Sequence, residues 1–267
     1  MSSARLPVKK TYKLFIGGAF PRSESGRTYE AQGQNVARAS RKDVRDAVTA
    51  ARAAQLKWAG ATAYNRGQVL YRVAEMMEAR VDEFAALCTG RAEVHRAIDR
   101  WVWYAGFADK LAQVIGSSNP VAGPYFNFTI PESTGVVATV APDEPPLEGL
   151  VSRLAPALTG GNAVVALASE TQPLAAIELA EVLATSDVPG GVVNLLTGYR
   201  SELAPWLASH MDVNAIDVTG ADGLRPDLEC AAAENVKRVV AGSVDRHSLA
   251  EISAFLELKT VWHPIGT

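Results

Sequence analysis

The feature that most constrains the fold is a repeating alternation of short apolar runs with helix-like segments between residues 135 and 241. The runs are GVVATVA, NAVVALA, GVVNLLT, NAIDVT and NVKRVVA, and the segments between them carry apolar residues at helical spacing. Such runs of branched apolar residues are typical of parallel strands that are covered on both faces. The alternation therefore predicts an α/β fold with a doubly wound parallel sheet and right-handed crossovers. Sheets of this kind bind ligands at the carboxyl ends of their strands.

The residues before this repeat predict short strands followed by helices. Ser40, with Asp43 three residues later, has the pattern that begins a first helix. Two further helical patterns cover residues 64–90 and 94–117. The second of them carries four aromatic side chains that we assign to the core: Trp101, Trp103, Tyr104 and Phe107. Just before the repeat, the stretch PYFNFTIPES alternates apolar and polar residues and predicts an exposed, half-buried strand.

Charge is distributed unevenly along the chain. Residues 1–60 hold 12 Lys/Arg and 4 Asp/Glu, whereas residues 121–267 hold 7 Lys/Arg and 18 Asp/Glu. The acidic field of the second half repels phosphates, so we expect no nucleic-acid binding there. The basic start of the chain, residues 1–11, is interpreted as a flexible leader.

Composition excludes several other classes of protein. No apolar run reaches the roughly 18 residues of a membrane span, so we expect no membrane insertion. Two cysteines, Cys88 and Cys230, give neither a disulfide framework nor a metal-binding spacing. We therefore expect a soluble cytoplasmic protein without a metal site.

Seven segments taken together carry a family resemblance. KLFIGGAF, SRKDVRDAVTAARAA, ESTGVVATVAP, LAPALTGGNAVVALASE, DVPGGVVNLLTG and DVNAIDVTGAD follow one another within residues 12–240, and AFLELKTVW lies near the end. In this order and at these spacings, the chain resembles the NAD(P)-dependent aldehyde dehydrogenase family. The resemblance implies the family's cofactor-binding domain, a Rossmann-like doubly wound sheet, over residues 12–240. It also implies a chemistry in which a cysteine attacks an aldehyde and a nicotinamide accepts hydride.

The turn after the first strand of the repeat departs from the family pattern. The family has a Pro-Trp-Asn-x-Pro-Leu turn, whose asparagine donates a hydrogen bond to the oxyanion. Here the turn is Pro142–Leu147, and Glu144 occupies the asparagine position, where an ionised carboxylate accepts but does not donate. Asp143 and Glu144 are interpreted as a solvated acidic turn near a helix N-terminus. A site repurposed for a cation is the alternative.

The resemblance also implies positions that contact NAD or NADP. The family's Lys-Pro-Ser-Glu stretch corresponds to residues 167–170, where Glu170 is kept. Leu167 replaces the lysine that contacts the cofactor ribose, which predicts a methyl-rich surface. Thr219 and Gly220 keep the opening of the turn at the pyrophosphate. The implied cofactor-binding residues are therefore Glu170, Thr219 and Gly220, and binding of NAD or NADP is expected to be weakened.

No segment resembles the family's catalytic domain. After NVKRV the chain passes through residues 241–248, interpreted as a linker that replaces this domain, to a C-terminal helix and strand in residues 249–267. No catalytic residue is therefore assigned. Cys230 lies among acidic residues in a helix, an environment that does not favour a thiolate, and we assign it and Cys88 structural roles.

Two segments resemble the family's oligomerisation lobe, namely a hairpin at 121–134 and a strand at 256–265. An apolar edge strand is a natural donor to another chain, but the same strand can also fold back on the 121–134 hairpin. The preferred hypothesis is an inactive structural or regulatory subunit, either homo-oligomeric or hetero-oligomeric with a full-length aldehyde dehydrogenase. The alternatives are an NAD(P)-binding sensor module and NAD(P)-dependent aldehyde oxidation completed in trans by a full-length partner.

Overall fold

The computed structural model describes residues 9–266, so most of the leader predicted at residues 1–11 lies outside the described part of the chain. The described chain begins with a three-stranded sheet in the order β1-β3-β2. Its strands are β1 (Thr11–Tyr12), β2 (Thr28–Ala31) and β3 (Gln34–Ala37). The sheet leads directly into the first helix.

Five helices follow this sheet: α1 (Arg41–Gly60), α2 (Ala63–Glu78), α3 (Val81–Ala85), α4 (Arg91–Phe107) and α5 (Leu111–Val114). The predicted start of α1 is confirmed, because Ser40 and Asp43 form a reciprocal capping box. The single pattern over residues 64–90 is divided into α2 and α3. The chain turns at Arg80, whose side chain bonds Glu83 and Glu181. Trp101 and Tyr104 of α4 are fully buried, as predicted.

The predicted alternation of strands and helices is confirmed in the second half. After β4 (Ser117–Asn119) and β5 (Tyr125–Ser133), the chain forms β6 (Val136–Val140), α6 (Pro146–Thr159), β7 (Ala163–Leu167), α7 (Leu174–Thr185), β8 (Val193–Leu196), α8 (Arg200–Ser209), β9 (Ala215–Asp217), α9 (Arg225–Ala233) and β10 (Arg238–Val240). The sheet order is β10-β9-β6-β7-β8, and every neighbouring pair is parallel. β6 therefore has β7 on one side and β9 on the other, which makes the carboxyl end of β6 the topological switch point.

Helices cover this sheet on both faces. On one face, Val137 and Val164 pack against apolar residues of α2, α4, α6 and α7. On the other, Val136 and Val165 pack against α1, α8 and α9. Burial on both faces is the reason that the strands are continuous apolar runs rather than alternating ones. Within residues 9–266, no helix combines the length and the apolar character that crossing a membrane requires.

The end of the chain folds back on the chain itself. α10 (Leu249–Ser253) leads to β11 (Leu256–Pro264), which pairs antiparallel with β5 from Leu256 opposite Ser133 to Pro264 opposite Tyr125. The resulting sheet has the order β11-β5-β4. Of the two interpretations of this strand, the structure has the tail on its own hairpin, with β11 as the outer strand of the sheet.

Candidate functional site at the carboxyl edge of the parallel sheet

Turns from four strands meet at the carboxyl edge of the parallel sheet. The turn after β6 carries Asp143 and Glu144, β7 runs into Ser169 and Glu170, β8 leads to Arg200 at the start of α8, and β9 runs into Thr219. Because the strands are parallel, all of these side chains lie at the same edge, where ligands bind in doubly wound sheets. The edge is therefore the candidate functional site.

An ion pair between Asp143 and Arg200 crosses this edge. Arg200 Nη1 lies 2.8 Å from Asp143 Oδ2, and Arg200 Nη2 donates to the Ala141 carbonyl at 2.6 Å. The other Asp143 oxygen accepts from the Ser169 hydroxyl at 2.9 Å and from the Glu170 amide at 2.8 Å. One carboxylate thus joins the segments that follow β6, β7 and β8.

The interpretation of both acidic residues as solvated is incomplete for Asp143, whose side chain is 36% exposed but also bonded to the chain. Its carboxylate is bonded to the side chains of Ser169 and Arg200 and to the backbone amide of Glu170, and the Arg200 side chain is only 11% exposed. Glu144 is exposed, and its Oε1 accepts from Gln172 Nε2 at 3.1 Å.

The role of Arg200 was missed at the level of sequence. The available signal was a cation in the first turn of a helix. That position is unfavourable for a positive charge unless a carboxylate lies nearby, so it indicates that an acidic partner is present. It does not indicate which carboxylate of the chain is the partner.

The N-terminus of α6 is occupied by a carboxylate of the chain itself. Glu93 Oε1 accepts from the amides of Leu147 and Glu148 at 2.8 and 3.1 Å, and its Oε2 accepts from the Thr89 amide at 2.8 Å. Burial alone would raise the pKa of Glu93, but the hydrogen bonds from Thr89, Glu148 and Leu147 outweigh it and lower that pKa. The helix N-terminus that an anionic ligand would use is therefore already bonded to Glu93.

Glu170 and Leu167 take structural positions. Glu170 Oε2 accepts from the backbone amide of Arg200 at 2.8 Å, so it binds the first turn of α8. Leu167 is 2% exposed and packs in the core between the sheet and α1 and α8. The expected methyl-rich surface at Leu167 is therefore wrong, because a leucine at the end of a central strand points into the core.

Thr219 and Gly220 are held by their own neighbours. The Thr219 amide donates to Asp217 Oδ1 at 2.9 Å, and the Thr219 hydroxyl accepts from the Gly242 amide at 2.9 Å. A Cβ atom at Gly220 would lie 2.3 Å from the Ala141 carbonyl carbon. The glycine is thus required by the close approach of the turn after β6, whether or not a ligand binds.

Residues 241–248 pack against a buried arginine. Arg153 is fully buried, with its Nε 2.5 Å from Asp217 Oδ2 and its Nη1 2.5 Å from Glu251 Oε2. Gly242 lies directly on the Arg153 guanidinium, since a Cβ there would be 2.0 Å from Nη1. The Ser243 amide donates to Glu251 Oε1 at 3.1 Å. This segment is therefore an ordered part of the fold. Its partner Arg153 carried no signal in the sequence, because the ion pairs join residues far apart in the chain.

The cysteines show no sign of activation as nucleophiles. Burial, assisted by the nearby Glu93 carboxylate, raises the pKa of Cys88 to about 11, and its thiol donates to the Phe84 carbonyl at 3.1 Å. Cys230 is exposed on α9. Across residues 9–266, neither thiol is hydrogen-bonded to a histidine that could act as its base.

Comparison with known proteins identifies similar chains. The model described as "Aldehyde dehydrogenase family" matches residues 27–243. The 2-hydroxymuconic semialdehyde dehydrogenase of Pseudomonas sp. (strain CF600) is 38% identical over 251 residues, which cover 86% of this chain and 51% of that protein. This chain spans about half the length of the curated relatives it matches.

Solved structures match the fold over a similar range. HpcC from Thermus thermophilus is 31% identical with a TM-score of 0.82, covering 87% of this chain and 48% of that one. An aldehyde dehydrogenase from Bacillus cereus, solved as an NAD+ complex, is 26% identical with a TM-score of 0.80, covering 86% of this chain and 50% of that one. The likeness includes the parallel sheet whose carboxyl edge is described above.

Proposed function

The chain belongs to the aldehyde dehydrogenase family, and from this premise we propose that it is a non-catalytic structural or regulatory subunit of an aldehyde dehydrogenase assembly. In this proposal its parallel sheet is a scaffold whose carboxyl edge is closed by the chain's own side chains. Its β11-β5-β4 sheet makes the contacts of the assembly, and residues 241–248 stand where a catalytic domain is missing. A cytoplasmic location belongs to the same proposal.

The observation that carries the proposal is the Arg200–Asp143 ion pair across the edge. A dinucleotide needs free donors at this edge for its phosphates and free acceptors for its ribose hydroxyls. Here Glu170 accepts from α8, and Thr219 is bonded to Asp217 and to the amide of residue 242. The N-terminus of α6 is bonded to a glutamate of α4. These residues therefore do not fit NAD or NADP.

The chemistry of the turn after β6 supports the same conclusion. An acyl-transfer site stabilises a developing oxyanion with hydrogen-bond donors. Glu144, at the position that the family resemblance assigns to the donor, brings a negative charge instead. The two cysteines also lack an activating base, as described above. In this proposal the chain therefore lacks both the donor and the nucleophile that aldehyde oxidation requires.

The exposed apolar side chains support a role in assembly. Several of the largest lie on the β11-β5-β4 sheet: Tyr125, Phe126, Ile130, Leu258 and Trp262, with exposures from 37% to 59%. A concentration of apolar surface on one sheet is typical of a protein interface. The partner is either a second copy of this chain or a full-length aldehyde dehydrogenase.

The test is an activity assay of the pure protein, alone and mixed with a full-length aldehyde dehydrogenase from the same cells. NADH formation is followed by absorbance with a panel of aldehydes. We expect no NADH from the chain alone, and activity of the mixture proportional to the full-length enzyme. NADH formed by the chain alone would overturn the proposal. A new aldehyde specificity that appears only in the mixture would instead favour oxidation completed in trans.

A further inference from the structure

The outer strand of the β11-β5-β4 sheet has one unpaired edge. β5 lies on one side of β11, and no strand of residues 9–266 pairs with its other side. β11 is nine residues long, and its Leu258 and Trp262 side chains are each 59% exposed. A long, exposed strand edge of this kind is a template for pairing with another strand.

Hydrogen bonds at the two ends of the ladder show which backbone groups face the open edge. The Thr134 amide donates to the Phe255 carbonyl, and the Ile265 amide donates to the Pro124 carbonyl. Hydrogen-bonded pairs alternate in an antiparallel ladder, so odd-numbered residues of β11 bond to β5 and even-numbered ones face outward. In agreement, the carbonyl of residue 256 accepts from an arginine side chain beyond the strand. Three residues therefore present both a free amide and a free carbonyl to the open edge, namely Leu258, Thr260 and Trp262, whereas the Leu256 carbonyl is already bonded and Pro264 has no amide hydrogen.

We propose that β11 pairs antiparallel with β11 of a second copy, about a two-fold axis at Thr260. This inference deepens the proposed assembly role and rests on it. In this register Thr260 faces its own symmetry mate, and Leu258 faces Trp262 of the other copy on both sides of the axis. Each facing pair exchanges two hydrogen bonds. The two three-stranded sheets become one continuous sheet, and a two-fold interface of this kind closes on itself.

Two neighbouring registers leave fewer free backbone groups able to form hydrogen bonds across the edge. A register centred on Lys259 pairs Leu256, whose outward carbonyl is already bonded to Arg238. A register centred on Val261 places Pro264, which has no amide hydrogen, opposite residue 258. A shift by one residue would place outward-facing groups opposite inward-facing ones. The register centred on residue 260 alone uses the three free residues and no others.

The side chains agree with this register. Leu258 opposite Trp262 is an aliphatic–aromatic cross-strand pair, and it occurs twice. Residue 257, a glutamate, lies opposite the histidine at 263, and the lysine at 259 lies opposite the valine at 261, so no like charges face each other. Leu258 also lines a groove of about 590 Å³ with Val239, Ala241 and Leu256. The second copy's tryptophan at 262, on the same face as Leu258, would lie at the mouth of this groove.

Disulfide trapping tests the register. The experiment uses the full chain carrying Cys230→Ser, which removes the exposed native thiol. Residues in a hydrogen-bonded antiparallel pair have Cα atoms about 5.5 Å apart, within the range that a disulfide spans. Thr260→Cys is therefore expected to form a covalent dimer of twice 28.4 kDa under mild oxidation. The matched control is Val261→Cys. In this register the 261 positions of the two copies are offset by two residues along the strands, and their Cα atoms lie more than about 7 Å apart. This variant is therefore expected to stay uncrosslinked.

Light scattering of the unmodified chain gives the second measurement. We expect a dimer, and we expect Trp262→Glu, an exposed position, to weaken dimerisation about tenfold or more while the far-UV circular dichroism stays unchanged. A monomeric wild-type chain, or crosslinking at Val261 rather than Thr260, would overturn the inference. A monomer that nevertheless binds a full-length aldehyde dehydrogenase would overturn it while supporting the proposed function. NADH formation by a Thr260-crosslinked dimer would support this inference while overturning the proposed function.

Discussion

Arg200 Nη1 lies 2.8 Å from Asp143 Oδ2, and this ion pair joins the start of α8 to the turn after β6 across the carboxyl end of β7. In a doubly wound sheet this is the place where a ligand would enter. The ion pair therefore has two consequences. It stabilises the turn after β6, and it engages the Asp143 carboxylate and the Arg200 guanidinium at the carboxyl edge, beside the switch point at β6.

Asp143→Ala is expected to destabilise the fold by about 2–3 kcal/mol, because it removes the acceptor of Arg200 Nη1 and of the Ser169 hydroxyl and leaves the largely buried guanidinium without its counter-charge. Urea unfolding followed by circular dichroism measures this free energy. The matched control is Glu229→Ala, which removes the exposed Arg225–Glu229 ion pair and is expected to change stability by less than about 1 kcal/mol. Equal effects of the two substitutions would mean that the Asp143 contacts stabilise nothing.

Glu93 is expected to make stability depend on acid pH. Its folded-state pKa is lowered from the ordinary value of 4.5, so its contribution is fully present above that pH and is lost as the pH falls toward the folded-state pKa. Glu93→Gln keeps the size of the side chain but removes this titration. From neutral to acid pH, the free energy of unfolding of the variant should fall less steeply than that of the wild type. Parallel pH profiles would show that Glu93 does not bind the α6 N-terminus as a carboxylate.

Gly220→Ala is expected to cost about 1–3 kcal/mol or more, because its Cβ would lie 2.3 Å from the Ala141 backbone, which has little room to move. Gly106→Ala is the matched control. A Cβ at this exposed position of α4 meets nothing within 4 Å, and alanine should stabilise the helix by up to about 1 kcal/mol. Thermal unfolding of the two variants measures both effects. A stable Gly220→Ala protein would mean that this glycine is not needed for packing.

The two thiols are expected to differ in reactivity. With a pKa of about 11, Cys88 holds little thiolate at neutral pH, whereas Cys230 is exposed. Titration of the native protein with a chromogenic disulfide reagent should release one equivalent rapidly and the second only after unfolding. Cys230→Ser should abolish the rapid phase. A rapid phase that survives this substitution would identify Cys88 as a reactive thiol.

The fold was predictable from the sequence to a larger extent than the site. The apolar runs and the Ser40 cap are local signals, and they located the parallel strands and the start of α1. The contacts of Glu93, Arg153 and Arg200 join residues far apart in the chain, and no local pattern indicates which carboxylate an arginine will meet. The bonds that join the partly exposed Asp143 to the two segments after β7 and β8 were therefore not predicted.

The position of β11 shows a second limit of prediction from the sequence, which concerns the partner of a strand. Its apolar and polar residues predicted a strand, but both pairing with β5 and donation to another chain were compatible with that pattern. Only the ladder from Leu256 opposite Ser133 to Pro264 opposite Tyr125 decides between them for one side of the strand. The backbone groups that face the other side follow from this register, and the sequence alone does not identify them.

The most direct test of the central claim, that the carboxyl edge is closed to a dinucleotide, is calorimetric titration of the pure chain with NAD and NADP up to millimolar concentration. A full-length aldehyde dehydrogenase titrated under the same conditions is the positive control. We expect no binding heat for this chain with either cofactor. A saturable binding isotherm that Thr219→Ala weakens would contradict this claim, and would make the chain an NAD(P)-binding sensor module.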